Sequence, residues 1–184
     1  EKGFHRAVEA FIAMRRQPGA PAAKLKASGW LGPNNRPYYE EQVKRLEEAG
    51  LLADFEHVES PTHDDKVRFM RSIDVLCVPT VYREPKGLYV LEAWANGVPV
   101  VLPAHGAFTE LVESTGGGLL VSPESIDALA DGLRTMLTDH EFRKRAGEAG
   151  EAAVRDRFTA DAMARETVSL IERIRQSSPP AVTA

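Results

Sequence analysis

The sequence predicts an α/β fold, a Rossmann-like parallel sheet covered by helices on both faces. Helical and strand-like segments alternate along almost the whole chain with short turns between them, which is how a parallel sheet is built. Two strand-like segments, DVLCVP and VPVVL, are short unbroken apolar runs rich in valine, as strands buried on both faces should be. The 184 residues are 43% hydrophobic and 27% charged, a balance that supports one ordinary folded core without disulfides.

The elements follow in order. FHRAVEAFIAMRR forms the first helix, with Phe4, Val8, Phe11, Ile12 and Arg15 at helical spacing and a stop at Gln17-Pro18-Gly19. Residues 24–30 read as a strand, followed by the turn-rich GPNNRP. Pro37 then sits in the first turn of a helix that carries Tyr39, Val43 and Leu46 on one face and stops at Gly50. Residues 54–59 are a second strand. Thr62 with Asp65 three residues later resembles a capping arrangement for a helix bearing Val67, Met70 and Ile73. Buried strands are expected at 74–79 and 98–102, with a loop and helix between them, and a short strand at 118–121. Helices follow over 125–137, with Ile126, Leu129, Leu133 and Met136 inward, and around 141–155. Thr159 caps a last helix with Met163, Thr167, Leu170 and Ile174 at helical spacing. The domain is thus expected over 1–176, lacking a first strand because the chain opens directly on a helix, with 177–184 a disordered tail.

Several functions are disfavoured by composition. A net charge of -4 argues against a nucleic-acid partner. Cys77 is the single cysteine and lies in an apolar run, so it reads as a small buried residue. The five histidines are scattered and no metal-ligand spacing is visible; His105 is the only one in a loop of interest. Apolar runs are far shorter than a membrane span, and no signal peptide opens the chain, so a cytoplasmic location is expected.

The chemistry concentrates in REPKGLYVLEAWANGVPVV, residues 83–101. This segment leaves the carboxyl end of the DVLCVP strand, where ligands bind in open parallel sheets. Gly87 permits close backbone approach, and the amides of Leu88, Tyr89 and Val90 open a helix whose first N–H groups have no internal partner, a setting suited to phosphate. Two carboxylates frame the turn. Each can accept two hydroxyl hydrogen bonds from a sugar or ribose; the plainer alternatives are a solvated loop charge for Glu84 and a first-turn glutamate favoured by the helix dipole for Glu92. Gly116-Gly117-Gly118 lacks the lysine and hydroxyl of a phosphate loop and reads as a turn.

These residues resemble the donor-site motif of retaining glycosyltransferases of family 4, the group 1 family, of general form E-x-F-G-L-x-x-L-E-A-M-A-x-G-x-P-V-V. The chain keeps Glu84, Gly87, Leu88, Leu91, Glu92, Ala93, Ala95, Gly97, Pro99, Val100 and Val101, and departs by Lys86 and Trp94. The similarity extends to the EKG start, the strand from Asp74 to Pro79, HGAFTELV, TGGGLLV and Arg157-Phe158-Thr159. The resemblance implies a GT-B enzyme of two domains, of which this is the half that binds a nucleoside diphosphate sugar. An N-terminal domain absent from the chain would bind the acceptor and make any membrane contact. It implies that Glu84 meets donor-sugar hydroxyls, Glu92 the ribose, the Gly87–Val90 backbone the diphosphate, and Lys2 the charge of the leaving group. Thr80 matches a small hydroxyl position beside the donor, and the base is expected over the loop near Val58. The implied reaction is retaining hexosyl transfer with no cofactor or metal, and this half alone is expected to be inactive. The alternatives are a sugar-nucleotide epimerase or phosphorylase of the same fold, or a non-catalytic module that binds nucleotide sugars.

Overall fold

The computed structural model describes residues 1–177. The strands are β1 (Leu25–Ser28), β2 (Phe55–Val58), β3 (Leu76–Cys77), β4 (Val100–Pro103) and β5 (Gly118–Val121). The helices are α1 (Phe4–Arg16), α2 (Arg36–Glu48), α3 (His63–Arg71), α4 (Leu88–Trp94), α5 (Ala107–Thr115), α6 (Ile126–Thr138), α7 (His140–Arg157) and α8 (Ala160–Ser177). All pairings are parallel. The strands form two ladders, β1-β2 and β3-β4-β5, rather than the single sheet expected.

The two faces are set by alternation along the strands. In β4, Val100 and Leu102 enter a core with α3, α4 and α5, while Val101 enters the opposite core with α1 and α6. β3 sorts Leu76 to the first core and Cys77 to the second. A buried layer of helices therefore covers each face, and the expected fold class stands.

Between the ladders lies a cavity of about 380 Å³. Its long walls are the facing edges of β1 and β3, and apolar side chains close its faces: Phe11 and Met14 of α1, Leu133 of α6 and Phe69 of α3. Neither facing edge pairs with another strand among the described residues. The expected strand over 74–79 shortens to Leu76–Cys77 for this reason, since only β4 pairs with it.

Several local signals act as read. Thr62 and Asp65 form a reciprocal capping box. The Thr159 hydroxyl accepts from the Ala162 amide at the start of α8, as read; Ser125, expected inside its helix, instead caps α6 by accepting from the Ala128 amide. Helix α8 runs through Ser177, one residue past the expected end of the domain, and the rest of the expected tail, 178–184, lies outside the described residues. The helical spacing of Met163, Leu170 and Ile174 marks a surface face: α8 meets the rest of the domain mainly along α7, and these side chains stay exposed.

Candidate functional site

The site forms where β3 ends. After Cys77 the chain reaches Pro79, and the start of α1 is laid against it. Gly3 has φ +84, and any Cβ there would collide with the Pro79 carbonyl oxygen, so this contact requires glycine. The Val81 amide donates to the Glu1 carbonyl at 3.1 Å. Lys2 is thereby carried to the loop that precedes α4.

Glu84 sits in that loop and is 6% exposed. Its backbone is fixed by the Ala107 amide, which donates to the Glu84 carbonyl at 2.8 Å, and Gly106 leaves room for this approach. Its carboxylate is crowded with donors. Oε2 accepts from Lys2 Nζ at 2.7 Å, the Tyr82 hydroxyl at 2.8 Å and the Tyr89 hydroxyl at 2.8 Å. Oε1 accepts from the Gly87 and Lys86 amides at 3.3 and 3.4 Å. Burial alone would raise the Glu84 pKa, but Lys2, the two tyrosines and the Gly87 amide outweigh it and hold the group at about 2. Burial would likewise lower the Lys2 pKa, and the bonds to Glu84 and Tyr82 leave it raised. The ammonium also lies 4.6 Å from the Tyr89 ring centre and 5.2 Å from that of Tyr82.

Gly87 caps α4 in the left-handed region at φ +66, with Phe108 and Leu111 of α5 packed against it. Leu88 is exposed, whereas Val90 is fully buried, so only its backbone can face a ligand. Glu92 stands apart from the cluster. It lies in the second turn of α4, which removes the first-turn dipole account, and its half-exposed carboxylate is 3.9 Å from Lys66 Nζ on α3. Thr80 is completely buried and its hydroxyl has no partner among the described residues. Val58, at the end of β2, packs partly against the first core. His105 meets the Thr80 carbonyl at 3.0 Å and stacks on Phe108, a packing role. Among the described residues no group of three or more His, Cys, Asp or Glu is arranged to hold a metal ion.

The structure thus unites Lys2, Glu84, Gly87 and Tyr89, whereas Glu92 faces Lys66, Thr80 is buried and Val58 packs against the first core. Tyr82 and the hydroxyl of Tyr89 were not singled out in the sequence. Their only signal there is two phenols flanking Glu84 within five residues.

The domain is a two-faced parallel α/β unit with a charged cluster at the carboxyl end of its strands, the general place for a ligand in such sheets. Residues 1–153 match the family described as Glycosyl transferases group 1, and the chain belongs to that family. Among its relatives, phosphatidyl-myo-inositol mannosyltransferase of Mycobacterium leprae is 31% identical over 138 residues, 75% of this chain and 37% of its own length. D-inositol 3-phosphate glycosyltransferase of Corynebacterium glutamicum is 32% identical over 133 residues, 72% of this chain and 31% of its own. The chain spans about a third of the length of these relatives. Sucrose-phosphate synthase of Thermosynechococcus elongatus superposes with a TM-score of 0.77 at 26% identity, over 96% of this chain and 44% of that one. HepE of Anabaena, solved with UDP and glucose, gives 0.81 at 22% identity over 94% and 45%, a likeness of fold. No helix among the described residues is long and apolar enough to cross a membrane.

Proposed function

We propose that this domain binds a nucleoside diphosphate sugar and supports retaining transfer of a hexosyl unit, without metal or cofactor, to an acceptor held by another domain of a longer protein. The observation that carries this reading is the Lys2–Glu84 pair at 2.7 Å beside the Gly87 turn, at the carboxyl end of β3 in a group 1 chain. Lys2 supplies the positive charge a diphosphate leaving group needs, and a preorganised cation there lowers the barrier to departure. Glu84 offers a carboxylate that stays ionised, suited to donor-sugar hydroxyls and to the developing oxocarbenium ion. The backbone from Gly87 to Val90 faces the diphosphate, Glu92 the ribose hydroxyls, and the loop near Val58 the base. Thr80 supplies a small buried hydroxyl beside the donor. UDP in the HepE structure and the mannosyl and inositol-phosphate names of the relatives agree with a sugar-transfer chemistry.

The same reading accounts for the cavity between β1 and β3. We take it to receive a strand from the longer protein, parallel to both neighbours. Such a strand would leave the slot at the carboxyl end of β3, where Glu1 already lies against Val81, and would deliver Lys2 to the site.

Calorimetric titration with UDP, GDP and ADP, then with the matching nucleotide sugars, tests the proposal. Saturable binding is expected, with Glu92→Ala weakening every nucleotide by about 1 to 3 kcal/mol and Glu84→Ala chiefly removing the preference for the sugar-bearing form. Unchanged affinities in both variants would sink the assignment of these residues.

A further inference from the structure

The Glu84 carboxylate has room for about four hydrogen bonds and already faces five donors. In this arrangement it has no lone pair for a sugar hydroxyl, and two of the three N–H donors of the half-exposed Lys2 ammonium are engaged by Glu84 and Tyr82. For Glu84 to accept a donor-sugar hydroxyl one of its present donors must leave, and Lys2, the exposed one on a flexible stem, is the donor free to move. Separation alone would be costly, because it would strip a buried carboxylate of its counter-charge. The two phenols change this. Each already donates to Glu84 Oε2, and the Tyr82 oxygen also accepts from Lys2 at 2.6 Å.

Resting on the proposed function, we propose that Tyr82 and Tyr89 are positioning residues whose hydroxyls keep Glu84 charged and placed while the Lys2 ammonium moves from Glu84 to the phosphates of the nucleotide sugar. The position Lys2 vacates on Oε2 is then open to a hydroxyl of the donor sugar. The tyrosine rings guide the movement, since the ammonium rests within 5.2 Å of both ring centres. Tyr82 contributes from the loop and Tyr89 from α4, so the two donors approach Glu84 from different elements.

Removing the hydroxyls while keeping the rings tests this. Tyr82→Phe/Tyr89→Phe should bind UDP about tenfold or more weakly than the unsubstituted protein, because Lys2 then leaves a carboxylate with only amides for partners. In a Lys2→Ala background there is no ammonium to hand over, and the same pair of substitutions should change UDP affinity by less than about twofold. An equal loss with and without Lys2 would overturn the inference, since it is the result of a merely structural role. The carboxyl carbon resonance of Glu84, followed by NMR without ligand, should titrate near 2 in the unsubstituted protein and move up toward the ordinary carboxylate range in the double variant. A resonance that stays near 2 would show that the phenols do not hold the carboxylate. The single variants provide the same readings if the double variant unfolds. Absence of binding by the unsubstituted protein to UDP, GDP and ADP alike overturns the nucleotide-sugar reading instead, and the ligand-free titration still decides the role of the phenols.

Discussion

At Glu84, burial and hydrogen bonding pull in opposite directions, and the donors prevail. A group whose pKa falls on folding, here from 4.5 to about 2, contributes stability that is complete above its unfolded value and is lost as the pH drops through its folded value. The window is therefore pH 4.5 down to 2. Urea unfolding of the protein and of Glu84→Gln should differ most near pH 6 and converge near pH 2. A constant difference across that range would contradict the assignment. Glu84, Gly87 and Glu92 were legible in the sequence because they belong to one contiguous run. The saturation of Glu84 was not, because Lys2 lies eighty-two positions away and its direction depends on how Gly3 packs against Pro79. Glu84 and Glu92 were read as framing the turn; Glu84 lies in the loop before α4 with its cluster of donors, whereas Glu92 lies in the second turn of α4 with Lys66 as its near neighbour.

Helix α4 shows how a departure from a family pattern is accommodated. Trp94 is fully buried and its Nε1 donates to the Gly117 carbonyl at 2.8 Å. Its ring fills the space over Gly117 on the approach to β5 and over Gly150 in α7, where a Cβ would collide with it. Gly150→Ala should destabilise the protein by about 1 to 3 kcal/mol through overpacking, and Trp94→Met should recover part of that loss in the double variant. Thermal unfolding of the two single variants and the double variant measures the coupling; strict additivity would refute it. The triple glycine, read from sequence as a turn, is more than that: Gly116 closes α5 at φ +71, Gly117 seats the tryptophan and Gly118 starts β5 against Val100. Helix α5 itself was not assigned from sequence, although Phe108, Leu111 and Val112 have helical spacing and glycines bound it at 106 and 116. Met163, Leu170 and Ile174 of α8 have helical spacing too, yet they are exposed. Periodicity identifies an apolar face and does not say whether a neighbour exists to cover it.

Across the whole molecule, the element order apart from α5 and the two-faced burial followed from the sequence, whereas the division into two ladders did not. Pairing partners are non-local, and DVLCVP reads as a strand whether one or two neighbours flank it. If the cavity receives a strand in the longer protein, the amides of β1 and β3 that face it should exchange hydrogen quickly in this chain and slowly in that protein. Mass-spectrometric exchange on residues 25–28 and 75–77 makes the comparison, and equal protection in both would exclude strand insertion. The cavity also matters for solution behaviour. Two unpaired backbone edges that line one cavity, with apolar walls on both sides, form a template for an extended apolar peptide, including an unfolded stretch of another copy. Misassembly of this domain should therefore start inside it, between β1 and β3, rather than at the outer edges of β2 or β5.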